Sequence, residues 1–339
     1  MRAGLFVPVP HAVVATDAMR AATEAAARPL ERGCPDPNFA LARDATVVAD
    51  RLGFDVALFA ERHLGPDLSA WILASAVAPS TRDIRIMPAA NPDFWHPAIL
   101  AKFAASLDRI APGRTAVNLV TGWWEAEHTA FSAVRHADDE AKYARAEEFV
   151  ATVRALWSSA EVRRGEPFPL DGVRLPIAPA GGSPPIYAVS RSDRGGDMVA
   201  RCADLWFATP DRLPSFDDVL AGLAGKVAAM RERAARHGRA LEFGVNAFVV
   251  PGPDVTGART RAERVYADAV AADPRFGPIR ASGLEVGLVG PPDLVAERVA
   301  ALEGVGIDLV LCRFWPEADE LEAGAVGLAL AGALRTRVP

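Results

Sequence analysis

The residues best suited to chemistry follow a short apolar segment near the middle of the chain. Residues 116–120 read AVNLV and end at a turn around Gly122, after which two tryptophans, two glutamates and a histidine occur within six positions. A buried strand that delivers polar and aromatic groups to its carboxyl end is typical of α/β active sites. The alternative is a core strand followed by an ordinary loop with tryptophans packed beneath it.

A second candidate site follows residues 185–189, in the segment SRSDRGG. Ser190 or Ser192 could cap the apolar helix that comes next, and Arg191 or Arg194 could add a charge-assisted contact. The backbone N–H groups and dipole at such a helix start attract anions. Because the Lys-Ser/Thr ending of a P-loop is missing, the segment predicts a phosphate clamp of another kind.

The elements that must position these residues alternate between strands and helices. Strand character is found at residues 3–8, 54–60, 84–89, 116–120, 185–189, 205–208, 241–250 and 307–312. Helical patterns are found at residues 39–52, 69–78, 97–109, 138–157, 198–203, 216–238, 292–304 and about 317–334.

Eight such units in 339 residues predict an α/β protein with the (β/α)8 TIM-barrel fold, and the whole chain, 1–339, as one domain. Residues 9–37, 158–184 and 251–290 are rich in Pro, Gly or charge and are interpreted as connecting insertions. An open doubly wound sheet is the runner-up, although no GxGxxG motif follows the first strand.

In such a barrel the carboxyl ends of the strands form the active-site face. The residues at these ends are Pro8, Glu61, Arg62, His63, Asn91, Thr121, Gly122, Ser190, Arg191, Ser192, Thr209, Asn246, Phe248, Arg313 and Trp315. Taken singly, each has an ordinary explanation, such as a surface ion pair or a helix cap. As a set with a phosphate clamp and many aromatic rings, they suggest a phosphorylated ring cofactor.

Composition argues against several other classes of protein. The net charge of −6, the pI near 5.6 and the lack of a basic stripe argue against a nucleic-acid partner. The sequence contains no run of 18 apolar residues, so no membrane span is predicted. The three cysteines are far apart and form no disulfide framework, which favours a reducing cytoplasm. The six histidines are scattered without metal-ligand spacing, so no metal site is expected.

Several motifs together resemble the bacterial luciferase-like flavin monooxygenases over nearly the whole chain. The matching segments are FDVALFAERHLG, AILAKFAASLDRIAPGR, AVNLVTGWWEAE, Lys142-Tyr143, VSRSDRGG and GLVGPPDLVAERVAALEGVGIDLVLCRFWP. The branch that is most similar holds pyrimidine oxygenase, dimethyl sulfone monooxygenase and alkanesulfonate monooxygenase. The resemblance implies an enzyme that uses reduced FMN and O2 to oxygenate a small organic substrate. Since no dinucleotide fingerprint is present, it also implies a separate NAD(P)H:FMN reductase.

The resemblance implies specific cofactor contacts. Asn118 would face the polar edge of the flavin ring, and Ser192 would hold the phosphate with the backbone amides that follow it. We count Ser190, beside Ser192, among the residues expected near the phosphate. Tyr143 and Glu127 would hold the ribityl chain or the loop around it.

The resemblance also suggests where the reacting end of the site lies. Glu61, Arg62 and His63 occupy the place where luciferase-like enzymes carry a histidine close to the flavin. We therefore count Glu61 among the cofactor-binding candidates. His63, Asn91 and Arg313 are the catalytic candidates.

Departures from the alkanesulfonate pattern bear on the substrate. Alkanesulfonate monooxygenases carry Arg and His on the seventh strand and Tyr after the eighth, where this chain has Asn246, Phe248 and Trp315. Without the Arg–His clamp for a sulfonate, a neutral substrate such as a sulfone, an amide or a nitrogen heterocycle is favoured. The apolar residues that could line the pocket are Trp95, Trp123, Trp124, Phe248 and Trp315, of which at least two are expected to belong to the core instead.

Two other functions remain open: a deazaflavin-dependent oxidoreductase on the same barrel, and a flavin-binding protein without catalysis. The resemblance further implies a homo-oligomer, commonly a dimer or tetramer joined through the second and third helices. The small or apolar residues considered for this contact are Ala101, Ala104, Ala105 and Ile110, and for most of them packing against the chain's own barrel is an equal alternative.

Overall fold

The computed structural model describes residues 1–9, 24, 26–122, 124–132, 134–213, 215–272, 274, 282–314 and 318–335. Its strands are β1 Arg2–Phe6, β2 Val56–Phe59, β3 Arg85–Ala90, β4 Val117–Leu119, β5 Val162–Arg164, β6 Leu170–Val173, β7 Ile186–Val189, β8 Leu205–Ala208, β9 Glu242–Pro251, β10 Leu288–Gly290 and β11 Leu309–Phe314. Its α-helices of seven or more residues are α1 Pro37–Leu52, α2 Ala70–Val77, α3 Pro97–Ile110, α4 Glu125–Phe131, α5 Asp139–Trp157, α6 Asp193–Cys202, α7 Phe216–Ala235, α8 Val255–Ala272, α9 Pro292–Gly304 and α10 Ala318–Leu330.

Eight of these strands form a closed, all-parallel ring in the order β1-β2-β3-β4-β7-β8-β9-β11, because β11 pairs with β1 and β9 pairs with both β8 and β11. The barrel prediction is therefore confirmed, and the open-sheet alternative is wrong. Each predicted strand overlaps its observed counterpart. The strands are almost continuously buried because helices cover the outside of the ring, as in parallel sheets generally.

Two of the three predicted insertions, residues 158–184 and 251–290, contain regular structure of their own. Strands β5 and β6 form an antiparallel hairpin between α5 and β7, and β10 pairs with the end of β9. Helix α8 was not anticipated, because residues 251–290 were interpreted as a connection. Most of residues 9–37 lie outside the described part of the chain.

A polar cluster fills the amino-terminal end of the barrel. Arg2 donates to Glu242 at 2.7 Å, and Arg85 donates to the hydroxyl of Tyr187 at 3.0 Å and lies 3.9 Å from the buried carboxylate of Asp55. The charged groups at the amino-terminal end of the barrel are thus paired with one another. A ligand is expected at the opposite end, where the strands have their carboxyl termini, as in other (β/α)8 barrels. Among the described residues, no helix is both long and apolar enough to cross a membrane.

The outer face of α2 and α3 differs from the expected oligomer contact. Ala101, Ala104 and Ala105 are completely buried within the chain, so they cannot meet a partner. Ile110 is half exposed, as expected of a contact residue. Trp95 packs between the same helices, with its ring 5.8 Å from that of Trp71 and 5.4 Å from that of Phe103. Trp95 is therefore one of the aromatic residues that pack against helices, which is the alternative that the sequence left open.

Candidate active site

The start of α6 forms a compact hydroxyl cluster. Ser192 is its N-cap: the side-chain oxygen accepts from the backbone N–H of Gly195 at 3.2 Å. The same hydroxyl donates to the hydroxyl of Tyr143 on α5 at 3.2 Å. Ser190 in turn donates to the backbone carbonyl of Ser192 at 3.3 Å. Three predicted cofactor residues, Ser190, Ser192 and Tyr143, are thus brought together at one helix N-terminus.

Glycine at position 195 allows this close packing. A Cβ atom built on Gly195 would lie 2.0 Å from Oγ of Ser190 and 2.7 Å from Cζ of Tyr143. Both distances are shorter than any van der Waals contact, so a larger residue would push the hydroxyl cluster apart. The helix start therefore keeps its backbone amides beside the two serines, in the arrangement that suits an anion.

The two arginines of the segment have different roles. Arg194 is paired at 2.6 Å with Glu140 and at 2.6 Å with Glu147 of α5, and these hydrogen bonds raise the pKa of Arg194. Arg194 therefore holds α6 against α5, which leaves Arg191 as the better candidate of the two for a phosphate contact. Arg191 is exposed, borders the cavity beside Ser192, and makes no hydrogen bond or ion pair with a described residue.

A cavity of about 550 Å³ opens beside the helix start, which is within the size range of small-molecule sites. Its wall includes Ser190, Arg191, Ser192, Lys226, Arg233 and Glu285. Burial raises the pKa of Glu285, although Arg212 lies 2.5 Å from its carboxylate. Lys226 is held at 2.7 Å by Asp211, and Arg233 at 3.0 Å by Asp193. Arg191 is therefore the lining cation best placed to meet an added anion.

At the end of β2, two carboxylates organise the loop that carries His63. Glu61 accepts from the backbone N–H of Ala70 at 3.0 Å and lies 3.6 Å from Nδ1 of His63. Glu127 is buried on α4, accepts from the backbone N–H of Leu64 at 3.2 Å and lies 3.7 Å from Arg62. Glu61 and Glu127 thus fix the loop that carries His63 from two sides.

Aromatic rings surround His63. Its ring centre is 4.9 Å from that of Phe94 and 5.5 Å from that of Phe131. On its other side, Phe94 lies 5.0 Å from the ring of His128. Phe94, which follows β3, therefore separates two histidines that follow β2 and β4. Such a surface is apolar but carries nitrogen atoms that can exchange hydrogen bonds.

Asn91 lies close to the turn that follows β4. Its Oδ1 accepts from the backbone N–H of Asp93 at 3.0 Å. A Cβ atom on Gly122, whose φ is +75°, would lie 2.8 Å from Nδ2 of Asn91 and 2.2 Å from Nε2 of His128. Lys142 donates to the carbonyl of Gly122 at 3.0 Å. The turn is therefore enclosed by three polar side chains, and only glycine fits there.

Asn118 and Arg313 face each other across the barrel. Asn118 is buried and in register with Tyr187, whose hydroxyl contacts Arg85 inside the barrel, so Asn118 also faces the interior. Arg313 lies on β11, four strands away in the ring of eight, which is the opposite wall.

Aromatic rings line the wall around Arg313. Its guanidinium lies 3.7 Å from the ring centre of Phe6 and 5.9 Å from that of Phe248. Nearby on β9, Oδ1 of Asn246 is buried without a hydrogen-bond partner in the described part of the chain. Phe248 is 2% exposed and also packs with residues of α8, whereas Trp123 and Trp315 lie outside the described residues. Trp124 precedes α4 as its N-cap residue.

Sequence reasoning missed a buried carboxylate at the same face. Asp93 lies 2.9 Å from Nε2 of His136, 3.7 Å from Nδ1 of His128 and 3.4 Å from Nε of Arg145. The partners are 35 to 52 positions along the chain, and no local spacing signals their meeting. In the described part of the chain, no group of His, Cys, Asp and Glu is arranged to hold a metal ion.

The fold and the site define a (β/α)8 barrel with a serine-capped helix start beside a cavity and a polar, aromatic surface at its carboxyl face. The model of the family "Luciferase-like monooxygenase" matches residues 11–309, and the chain belongs to this family. It is 30% identical over 274 residues to an FMNH2-dependent dimethylsulfone monooxygenase of Pseudomonas fluorescens, covering 73% of each chain. The predicted family and branch are confirmed.

Solved structures show the same fold at low sequence identity. A long-chain alkane monooxygenase has a TM-score of 0.77 at 17% identity, covering 99% of this chain and 93% of the other. An F420-dependent secondary alcohol dehydrogenase has a TM-score of 0.71 at 16% identity, covering 97% of this chain and 98% of the other. At these identities the likeness concerns the fold alone.

Proposed function

We propose that this protein is a flavin-dependent monooxygenase that uses reduced FMN and O2 to oxygenate a small organic substrate. The observation that carries the proposal is the helix start at Ser192, which joins Tyr143, Ser190 and Arg191 beside a cavity in a member of the luciferase-like family. The relative from Pseudomonas fluorescens is named for the same cofactor.

The residues at the helix start fit the phosphate of FMN. Ser192 and the start of α6 would hold the phosphate, with the first backbone N–H groups of the helix as donors, and Arg191 would supply positive charge, since Arg194 is paired with Glu140 and Glu147. Because Ser192 donates to Tyr143, the hydroxyl hydrogen of Tyr143 is left to donate to a ligand. Asn118, facing the barrel interior, would meet the polar edge of the flavin ring.

When bound, reduced FMN would supply the electrons with which one atom of O2 enters the substrate and the other leaves as water. The protein must orient the substrate and keep bulk water away from the reacting atoms. His63 lies between Phe94 and Phe131, so it offers a hydrogen-bonding nitrogen inside an apolar wall. We assign His63 and Asn91 to the reacting end, and Glu61 to orienting His63.

The substrate proposed is a neutral molecule such as a sulfone, an amide or a nitrogen heterocycle. Asn246 and Phe248 provide one hydrogen-bonding amide and one apolar ring where a sulfonate clamp would need positive charge. The guanidinium group of Arg313 stacks over the aromatic ring of Phe6. We assign Arg313 to shaping the pocket wall and contacting a polar substrate atom.

Titration of the purified protein with reduced FMN and with a reduced deazaflavin cofactor tests the choice of cofactor. We expect tighter binding of FMN, and oxygen consumption that depends on the protein and the substrate. Tighter binding of the deazaflavin would favour the rival oxidoreductase. Tight binding of oxidised flavin without turnover would favour a non-catalytic flavin-binding protein.

A partner reductase is part of the proposal, because the chain carries no dinucleotide fingerprint. If reduced FMN must come from outside, NADH or NADPH alone should give no oxygen consumption. Adding an NAD(P)H:FMN reductase should then restore it. Oxygen consumption with NAD(P)H and FMN in the absence of a reductase would overturn this part of the proposal.

We also propose that the whole chain forms one cytoplasmic domain that assembles into a homo-oligomer through α2 and α3. The support is an apolar surface formed by Ile72, Ile99, Phe103 and Ile110, each at least 44% exposed. The three free cysteines are compatible with a reducing compartment. Sedimentation at micromolar concentration should give a mass above 35.9 kDa, and Ile72→Asp should shift the mass toward the monomer.

A further inference from the structure

We propose that His128, oriented by the buried carboxylate of Asp93, is a positioning residue of the active site. In this role it fixes the Gly122 turn and the side chain of Asn91 at the carboxyl ends of β4 and β3. The inference rests on the proposed function where activity is measured. A spectroscopic readout tests it without activity.

The fold places His128 against the turn from which its own helix starts. Helix α4 runs back over the turn, so Nε2 of His128 lies against the α-carbon of Gly122, where a Cβ atom would be only 2.2 Å away. Nδ2 of Asn91 borders the same point at 2.8 Å. The imidazole of His128, six positions beyond the turn, and the amide of Asn91 thus lie on the same side of Gly122, at the ends of β4 and β3.

Asp93 determines which way the imidazole faces. Its carboxylate is 3% exposed and lies on the Nδ1 side of His128 at 3.7 Å. The backbone of Asp93 is itself fixed, because its N–H donates to Asn91 and its carbonyl accepts from Ser132 at the end of α4. A proton on Nδ1 is favoured on the side of the carboxylate, which leaves Nε2 as an acceptor toward Asn91.

Charged groups surround His128 on several elements. Asp93 comes from the loop after β3, Lys142 and Arg145 come from α5, and His136 comes from the segment before α5. Glu127 precedes His128 on α4, Arg135 donates to the backbone carbonyl of His128, and His63 with Glu61 lies beyond the ring of Phe94.

The neutral form of His128 is the one this environment favours. Burial lowers the pKa of His128, and Lys142 and His136 act in the same direction, against Asp93 and Glu127. Neutral imidazole can accept from the Nδ2–H group of Asn91. Protonated imidazole would turn a second donor toward that amide, so acidification should release Asn91 from its position.

Nuclear magnetic resonance tests this coupling directly. The side-chain amide signals of Asn91, assigned through Asn91→Asp, should move with the same midpoint as the ring signals of His128 between pH 5 and pH 7. That midpoint should lie below the ordinary histidine value of about 6.5. In His128→Gln the movement should disappear, whereas His237→Gln, a control at an exposed histidine, should keep it. Asn91 signals that do not follow His128 would overturn the inference.

Kinetics with reduced FMN supply the second readout. Glutamine can place a polar atom near the Nε2 position, so His128→Gln should keep most of kcat. In this variant kcat should no longer fall at acid pH, which is the acid limb of the wild-type pH profile. His128→Ala should lower kcat on the order of tenfold, the effect of one lost hydrogen bond of about 1.4 kcal/mol. Asp93→Asn should move the acid limb to lower pH, because removing the negative charge lowers the pKa of His128 further.

The FMN dissociation constant separates positioning from a general loss of structure. All three variants should bind FMN as the wild type does, since the phosphate end lies on α6. Variants with unchanged kcat and an unchanged pH profile would overturn the inference. Failure of the wild-type protein to bind FMN would instead overturn the proposed function, and the amide titration of Asn91 would still decide this inference.

Discussion

The hydroxyl oxygens of Tyr143 and Ser192 lie 3.2 Å apart, although 49 positions separate the two residues in sequence. One belongs to α5 and the other caps α6, so the contact joins two helices at the end of the site that we propose for the phosphate. Ser192 accepts from Gly195 and donates to Tyr143, which sets a direction for the hydrogen bonds. The hydroxyl hydrogen of Tyr143 is left free, so Tyr143 would be a hydrogen-bond donor to the phosphate.

Ser192→Ala should weaken FMN binding by about 1 kcal/mol, the net value of a typical hydrogen bond. Quenching of FMN fluorescence during titration measures the change. Ser215→Ala is a matched control, because Ser215 caps α7 and accepts from the backbone N–H of Asp218 at 3.1 Å. The control should lose helix stability and keep FMN affinity; equal losses of affinity in both variants would contradict the assignment.

Tyr143→Phe should also weaken FMN binding by roughly 1 kcal/mol, because phenylalanine keeps the ring and removes only the donor. Since Tyr143 and Ser192 share one hydrogen bond, their effects should not add. The double variant should lose at least about 0.5 kcal/mol less than the sum of the single losses. Strict additivity in the same titration would show that the two hydroxyl groups act on FMN independently.

Arg191 and Arg194 should respond differently to substitution. Arg191→Ala should weaken binding of FMN by about 2 kcal/mol and leave riboflavin, which lacks the phosphate, unaffected. Arg194→Ala should lower the thermal unfolding temperature, because Glu140 and Glu147 lose their partner. If Arg194→Ala weakens FMN binding more than Arg191→Ala does, the roles assigned to the two side chains are reversed.

His63→Ala should slow oxygenation and leave FMN affinity nearly unchanged, because His63 lies with Phe94 and Phe131 and not at the phosphate end. A loss of one to two orders of magnitude in kcat is expected for removal of a positioned hydrogen-bonding or acid–base group. Single-turnover kinetics with pre-bound reduced FMN isolate this step. An FMN affinity as low as that of Ser192→Ala would contradict the division of the site into a phosphate end and a reacting end.

The barrel could be predicted from the sequence because each strand is a short apolar run bounded by turn residues. The start of α6 was recognisable for a similar reason: its cap and glycines are local signals. Helix α4 was missed because it has only seven residues and follows two tryptophans that read as a loop. Helix α8 was missed because the segment around it is rich in charge, proline and glycine.

Contacts between distant segments were beyond local reasoning. Arg194 was a sound candidate for a phosphate contact by type and position, but it pairs with Glu140 and Glu147, which lie 54 and 47 positions away. The cluster around Asp93 has the same origin, since three separate segments supply its partners. Burial of Ala101, Ala104 and Ala105 likewise depends on what the rest of the barrel covers.

The most direct test is an oxygenation assay with reduced FMN, O2 and three substrates: uracil, dimethyl sulfone and a short alkanesulfonate. Product formation and oxygen consumption are measured with and without the protein under identical supply of reduced FMN. The account predicts protein-dependent oxygenation of at least one neutral substrate, and little or no release of sulfite from the alkanesulfonate. Efficient sulfite release would contradict the interpretation of Asn246 and Phe248, and failure to bind reduced FMN at all would contradict the central claim.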